Sequence, residues 1–178
     1  MTPRSTEGLQ LRSACHEDAL CLAVLAMQVF LDTYATDGIR PALAREVLSS
    51  YSEQAFAEQL GDPSQGLLVA ELNGHLVGFA QLGFGANHEL VPEGVQAELL
   101  RLYVQEPFTG SGVGSQLLAR AEQAAAAQGV SVLWLSSWVH NLRARSFYQR
   151  RGYVDHGLLQ FEFEGETHEN RIYAKRLA

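Results

Sequence analysis

The chain has 178 residues, of which 47% are hydrophobic and 19% are charged. One domain over residues 1–178 is expected, because a single hydrophobic core serves chains of up to roughly 200 residues. Thirteen Lys and Arg residues against 20 Asp and Glu residues give a formal net charge of −7. This balance argues against general nucleic-acid binding and favours attraction of cationic ligands.

The cysteine and histidine content argues against disulfide-stabilised and metal-dependent proteins. Cys15 and Cys21 are too few for a disulfide framework or a cysteine-rich zinc site, and we interpret both as small buried apolar groups. The histidines are scattered without an H-E-x-x-H pattern, so no metal site is predicted. The N-terminus lacks the apolar core of a signal peptide, and no uncharged apolar run approaches the roughly 20 residues of a membrane span. A cytoplasmic protein is expected.

Hydrophobic periodicity predicts the helices and strands. In chain order, the pattern gives a strand at 9–12, helices at 16–35, 41–48 and 53–60, strands at 67–72, 75–84 and 98–104, a helix at 113–128, a strand at 130–139, a helix at 142–151, and strands at 158–165 and 169–177. Ser52 and Asn141 are predicted helix caps, Asn73-Gly74 marks a hairpin, and the last hairpin is placed around Glu166-Thr167. Because two of the later helices each follow a strand, a mixed α/β sheet is predicted.

A glycine-rich turn, Thr109-Gly110-Ser111-Gly112-Val113-Gly114, lies between a predicted strand and a predicted helix. Glycines let the backbone approach a ligand closely, and the N–H groups of a helix N-terminus attract phosphate oxygens. The turn therefore indicates a phosphate site, and the alternative is a tight turn without a ligand. No Lys follows for a Walker loop, and the third glycine comes one residue too early for the dinucleotide fingerprint.

Two segments resemble the GNAT superfamily of acetyl-CoA-dependent N-acetyltransferases. ELLRLYVQEPFTGSGVGSQLL resembles the motif [QR]-x-x-G-x-[GA] after a strand that ends in Val, and LWLSSWVHNLRARSFYQRRGY resembles a second family motif. The resemblance covers residues 67–177 and is most like the spermidine/spermine-type branch of bacterial enzymes. It implies the GNAT fold, with a mixed sheet of roughly seven strands and helices on both faces.

The resemblance also implies the coenzyme site. It places the pantetheine arm of acetyl-CoA along the strand that ends at Val104, whose N–H is a candidate oxyanion donor. Thr109 and Ser111 replace residues that are often charged in the family, which leaves backbone contacts to the phosphates and removes side-chain charge. The implied coenzyme-binding residues are Leu102, Tyr103, Val104, Thr109, Gly110, Ser111, Gly112, Val113, Gly114, Ser115, Asn141, Phe147 and Tyr148.

Acetyl transfer to an amine needs a base for the ammonium group and an acid for the leaving thiolate. Tyr148 is the candidate acid, because a free phenol with a pKa of about 10 can protonate a thiolate; the alternative is a tyrosine that packs with Phe147. Glu98, six residues before Val104, is the candidate base, since its spacing resembles that of the histone acetyltransferase branch. Apolar neighbours on its strand face would raise its pKa. The alternatives are a solvent-exposed Glu98, with His140 or a water chain as the base.

The expected reaction is direct acetyl transfer from acetyl-CoA, in a ternary complex, to a primary amine of a small molecule. The resemblance to the spermidine/spermine-type branch implies a polyamine-like acceptor, with which the acidic net charge is compatible, and Tyr34, Tyr51 and Trp138 are candidates to line its pocket. Two alternatives stay open: a protein or peptide N-acetyltransferase, and a non-catalytic acyl-CoA-binding sensor. No nucleic-acid or membrane partner is expected, and a homodimer is left open.

Overall fold

In the computed structural model, which describes residues 4–163 and 165–178, seven strands and five α-helices follow one another along the chain. They are β1 (Leu9–Ser13), α1 (Ala19–Tyr34), α2 (Pro41–Ser50), α3 (Glu53–Leu60), β2 (Gln65–Leu72), β3 (His75–Phe84), β4 (Gln96–Val104), α4 (Val113–Ala127), β5 (Val132–Trp138), α5 (Leu142–Gln149), β6 (Val154–Phe163) and β7 (Glu166–Arg176). Short 3-10 turns at His16–Asp18 and Glu106–Phe108 precede α1 and α4.

Hydrogen bonds link the strands in the order β1-β2-β3-β4-β5-β7-β6. β4 and β5 run parallel and are connected through α4, whereas β7 pairs antiparallel with both β5 and β6. The β4–β5 register pairs Gln96 with Val132 and Glu98 with Trp134. The predicted mixed seven-stranded sheet is therefore confirmed.

The described residues fall into two compact units. The first unit consists of the described residues up to Leu82 together with Arg101–Ala121. Its core forms where the apolar stripe of α1 and the aromatic residue of α3 pack against β2 and β3, and Leu22, Phe56 and Phe79 in it are fully buried. The rings of Phe56 and Phe79 meet edge to face at 5.8 Å between centroids, a geometry favoured by aromatic pairs.

The second unit consists of the described residues of Gly83–Leu100 and Glu122–Ala178. Its core contains Val132 and Trp134 of β5 together with Ile172 and Ala174 of β7, all of them buried. The indole N–H of Trp134 donates a hydrogen bond of 2.9 Å to the carbonyl of Ala86, so this buried polar group has an acceptor.

Local signals placed several element boundaries correctly. The Ser52 hydroxyl accepts from the Ala55 N–H at 3.1 Å at the start of α3, and the Asn141 side chain accepts from the Ala144 N–H at 3.1 Å at the start of α5. Asn73-Gly74 adopts positive φ angles of 52° and 82° between β2 and β3, as a tight hairpin turn requires. These cap and turn predictions are confirmed.

Other predictions differ from the structure. Cys15 and Cys21 are exposed rather than buried. Cys21 lies on the solvent side of α1, because its neighbours Leu22 and Ala23 face the core, and Cys15 lies before the helix begins. The last hairpin turn was predicted around Glu166-Thr167, but both residues lie in β7, where Glu166 pairs with Phe163. Alternation alone does not set the register of a hairpin, so the turn was placed too late. Position 164 lies outside the described residues.

Among the described residues, no helix combines the length and the apolar composition that crossing a membrane requires.

Candidate active site

The glycine-rich turn joins β4 to α4 in the first unit. Gly110 and Gly112 have φ angles of +75° and +92°, which side-chain-bearing residues rarely adopt. The first helical hydrogen bond runs from the Gln116 N–H to the Gly112 carbonyl at 3.1 Å, so the N–H groups of Gly112, Val113 and Gly114 precede the intrahelical bonds. Backbone groups at this position are suited to binding phosphate oxygens. The geometry therefore fits the phosphates of a coenzyme.

Thr109 and Ser111, where the family often carries charge, bond locally. The Thr109 hydroxyl donates to the Glu106 carbonyl at 2.8 Å, and the Ser111 hydroxyl donates to the Phe108 carbonyl. Both side chains therefore stabilise the 3-10 turn before α4. Contacts from this turn to a phosphate would come from backbone N–H groups.

The carboxyl half of β4 carries Leu102, Tyr103 and Val104, all partly buried. The ring of Tyr103 packs against Phe79 at 5.4 Å between centroids. A side chain at Gly78 of the adjacent strand would place its Cβ 2.8 Å from the Tyr103 carbonyl, which explains the glycine there. The backbone of β3 at Gly78 therefore packs closely against the backbone of β4 at Tyr103.

The structure brings two of the predicted acceptor residues together with β4. The hydroxyl groups of Tyr51 and Tyr103 lie 3.4 Å apart, and the ring of Tyr51 packs on Phe30 at 5.2 Å. Tyr34 joins the same aromatic group, because its ring lies 4.8 Å from that of Phe30. Burial raises the pKa of Tyr103, so its hydroxyl keeps its proton at neutral pH and can donate.

Sequence reasoning missed Arg101 and Gln81 in this group. The Arg101 guanidinium lies 4.9 Å from the centre of the Tyr51 ring and donates to the side-chain oxygen of Gln81 at 2.6 Å. Alternation along β4 places Arg101 on the same strand face as Tyr103. A cation within the apolar run 99–104, two residues before a tyrosine, was the signal that could have found it.

Glu98 lies in the second unit, on the amino half of β4. Its side chain is half-buried, and burial raises its pKa. A carboxylate with a raised pKa is a better proton acceptor than one in water. The predicted pKa shift is therefore confirmed, and the role as a base is a proposal.

The start of α5 is fixed by Asn141, which caps it. Two residues before the end of α5, the ring of Phe147 lies under the Arg151 guanidinium at 4.2 Å from the ring centre. Tyr148 is 8% exposed, and its ring packs edge to face against Phe147 at 5.2 Å and Tyr153 at 5.7 Å. This packing fixes the phenol ring of Tyr148 and is compatible with either predicted role.

Trp138, at the end of β5, packs edge to face on the exposed His140 at 5.0 Å between ring centroids. Both residues line a cavity of about 450 Å³ together with Gln160, Thr167, His168 and Glu169. Residues 4–163 and 165–178 contain no group of three or more His, Cys, Asp or Glu side chains able to hold a metal ion.

The profile of the acetyltransferase (GNAT) family matches residues 32–153. An uncharacterized N-acetyltransferase of Mycobacterium bovis is 33% identical over 135 residues, which are 73% of this chain and 81% of the relative. An aminoalkylphosphonate N-acetyltransferase of Salmonella typhimurium is 32% identical over 125 residues, which are 68% of this chain and 80% of the relative. The crystal structure of the PaiA N-acetyltransferase of Thermoplasma acidophilum in complex with coenzyme A superposes with a TM-score of 0.76 at 23% identity, over 94% of this chain and 98% of that one.

The chain therefore belongs to the GNAT family of acetyltransferases and has its fold. It is an acetyl-CoA-dependent N-acetyltransferase, and acetyl-CoA is its cosubstrate. The comparisons support the family and do not separate out the spermidine/spermine-type branch.

Proposed function

We propose that this N-acetyltransferase moves the acetyl group directly from acetyl-CoA to a primary amine of a small molecule, with Glu98 as the base and Tyr148 as the acid. The observation that carries the proposal is the half-buried Glu98 carboxylate on β4, whose pKa is raised by burial. A base of this kind can take a proton from an ammonium group at a pH at which an exposed carboxylate would be a weaker acceptor.

The remaining steps use groups that the family resemblance assigns. The neutral amine attacks the thioester carbonyl, and the Val104 N–H donates to the oxyanion that forms. The carbon–sulfur bond then breaks, and the Tyr148 hydroxyl gives its proton to the departing thiolate. Tyr148 is well placed to keep one orientation during this step, because two aromatic rings pack against it.

The class of amine is an open part of the proposal. The polyamine-like acceptor rests on the resemblance of the sequence to the spermidine/spermine-type branch, and the net charge of −7 is compatible with it. The Salmonella relative, named for aminoalkylphosphonates, favours an amine that also carries an acidic group. Both classes of acceptor are small-molecule amines. A cytoplasmic location and a homodimer of this protein stay predictions.

The test is release of free CoA from acetyl-CoA with a panel of acceptors: polyamines, amino acids, aminoalkylphosphonates, plain alkylamines and peptides. Turnover with a small amine is expected and would separate the enzyme from a sensor that binds acetyl-CoA without turnover. Turnover with peptides alone would favour the protein-acetylating alternative and contradict the proposal. Acetyl-CoA hydrolysis without acceptor is the blank.

A further inference from the structure

Arg101 is a half-buried cation without a carboxylate partner among the described residues. Its Nη1 donates to the side-chain oxygens of Gln81 at 2.6 Å and Gln59 at 3.5 Å. Both acceptors are neutral amides, and within residues 4–163 and 165–178 its Nε and Nη2 groups donate to no side chain or carbonyl. A guanidinium has five N–H donors, so three of the five have no acceptor among the described residues and are available to a ligand.

The comparison with Arg12 in the same unit shows how such a cation is ordinarily neutralised. Arg12 donates to both oxygens of Asp18 at 2.7 and 2.9 Å and to Glu71 at 2.8 Å. Its charge is therefore fully paired, as is usual for a partly buried arginine. Arg101 has no such pairing with a described carboxylate.

The surroundings of Arg101 hold the guanidinium in place. Gln81 is fully buried, and its amide group donates to the side-chain oxygens of Gln59 at 2.6 Å and Gln65 at 2.5 Å, which leaves its own oxygen for Arg101. The rings of Tyr51 and Phe56 lie 4.9 and 6.0 Å from the guanidinium carbon. The cation is therefore oriented in advance, which lowers the entropic cost of binding a ligand.

Two hydroxyl groups lie beside this cation. Because the Tyr51 and Tyr103 oxygens are 3.4 Å apart, one of them donates to the other, and the proton of the second is available to a ligand. A guanidinium fork with an adjacent hydroxyl donor matches the oxygen atoms of a carboxylate or a phosphonate. Tyr103 directly precedes Val104, and the rise of an extended strand separates the Cα atoms of Arg101 and Val104 by about 10 Å, so these residues lie near the segment that the resemblance assigns to the coenzyme.

We propose that Arg101, together with the Tyr51 and Tyr103 hydroxyls, binds an anionic group of the acceptor, a carboxylate or a phosphonate. The acceptor is then a primary amine that also carries an acid, rather than a polyamine. This inference rests on the proposed function and names the substrate class of the same site.

The experiment compares acceptors of equal length that differ in one terminal group. β-Alanine and 2-aminoethylphosphonate carry an anion, n-propylamine carries none, and 1,3-diaminopropane carries a second cation. The same comparison is repeated with longer ω-amino acids, alkylamines and diamines. We expect kcat/KM to be at least about tenfold higher for an anionic acceptor than for its alkylamine partner, as a charge-assisted hydrogen bond provides. Comparison of kcat/KM between β-alanine and 2-aminoethylphosphonate shows whether the site prefers a carboxylate or a phosphonate.

Arg101→Gln keeps an amide that can bond Gln81 and removes the charge. It is expected to raise KM for the anionic acceptor at least about tenfold, with little change in kcat and no change with the alkylamine. Arg45→Gln, an exposed arginine of α2, is the charge-matched control. If Arg101→Gln does not fold, Arg101→Lys is used, which loses the fork and should raise KM for the anionic acceptor only.

Equal losses for anionic and neutral acceptors in a folded Arg101 variant would overturn the anion site and leave the proposed function intact. Faster turnover of diamines than of amino acids by the unmodified enzyme would also overturn the anion site and leave the proposed function intact. A protein that binds acetyl-CoA but releases no CoA with any acceptor would overturn the proposed function and the anion site together.

Discussion

The rings of Tyr148 and Tyr153 pack edge to face at 5.7 Å, and the Tyr153 hydroxyl donates to a Glu122 oxygen at 3.0 Å. Burial and the neighbouring Glu122 raise the pKa of Tyr153. Glu122 also accepts from Lys175 at 3.0 Å, so Tyr153 belongs to a paired structural group. Two adjacent tyrosines thus offer a catalytic candidate and a matched structural control.

Tyr148→Phe keeps the ring and removes the proton, so it should lower kcat about 10²-fold or more, with little change in acetyl-CoA affinity. Raising the pH should not restore the rate, because the defect lies in thiolate departure. Tyr153→Phe should instead cost about 1 kcal/mol of stability and leave kcat close to that of the unmodified enzyme. Steady-state kinetics and urea unfolding measure the two effects. Unchanged kcat in Tyr148→Phe would remove the acid assignment.

Glu98→Gln retains the shape of the side chain and removes its basicity. We expect kcat to fall about 10²-fold at neutral pH, and the acidic limb of the kcat/KM profile to vanish or move, since that limb reports protonation of the base. Because burial raises the pKa of Glu98, this limb should lie above the pH at which an exposed carboxylate titrates. Higher pH should partly restore the variant, as more of the amine is then neutral. If Glu98→Gln kept the kcat of the unmodified enzyme, Glu98 would not be the base, and His140 or a water chain would take that role.

Gly114 lies inside α4, so a side chain there tests close approach of the phosphates without altering a positive φ angle. Gly114→Val should weaken acetyl-CoA binding at least tenfold, about 1.4 kcal/mol. Gly112→Val is expected to do the same, but its φ of +92° adds backbone strain. Ala119→Val, at an exposed position of α4, controls for a branched residue in the helix. Calorimetric titration measures affinity, and equal affinity in all folded variants would argue against the phosphate site.

Thr109→Arg introduces the charge that the family often carries at this position. Coenzyme affinity should rise by about 0.2–1 kcal/mol, the range of an exposed ion pair. Stability should fall slightly, because the hydrogen bond from the Thr109 hydroxyl to Glu106 is lost. Thr109→Val loses the same bond without gaining charge, so it should show the stability loss alone. Weaker binding by Thr109→Arg would mean that the shape of Thr109 matters more than charge.

Asp18 ties the start of α1 to β1 through Arg12. The hydrogen bond from Arg12 lowers the pKa of Asp18 to about 2. A carboxylate with a lowered folded-state pKa stabilises the fold above its unfolded pKa near 4, and this contribution is lost as the pH falls toward 2. Asp18→Asn should therefore cost about 2 kcal/mol at pH 7 and flatten the pH dependence of the urea midpoint between about pH 4 and 2. The exposed Asp37→Asn controls for charge and should retain the full dependence.

Short-range sequence signals predicted much of the fold. The caps at Ser52 and Asn141 and the turn at Asn73-Gly74 depend on hydrogen bonds and φ angles within a few residues, so the residues themselves specify them. The apolar stripe of α4 was predicted correctly, since Val113, Leu117 and Ala121 are all buried.

Relationships between distant segments were not predictable in this way. The Gln59–Gln81–Arg101 group joins α3, β3 and β4, and no local pattern specifies which amides meet. The pairing of Tyr51 with Tyr103 likewise depends on how the residue that follows α2 is brought to β4. The motif resemblance predicted the coenzyme-binding residues and three candidates for the acceptor pocket, whereas the contacts of Arg101 and Gln81 became visible only in the structure.

Cys15 and Cys21 lie on the surface of an enzyme whose product, free CoA, is itself a thiol. A thiol-specific reagent used to follow CoA release would also label these side chains and give signal before any turnover. Hydrogen bonds to Glu17 and Asp18 raise the pKa of the Cys15 thiol, so Cys15 should react slowly and Cys21 should account for the early labelling. A Cys15→Ser, Cys21→Ser double variant would give a flat baseline, and air oxidation of the unmodified protein would link molecules through Cys21.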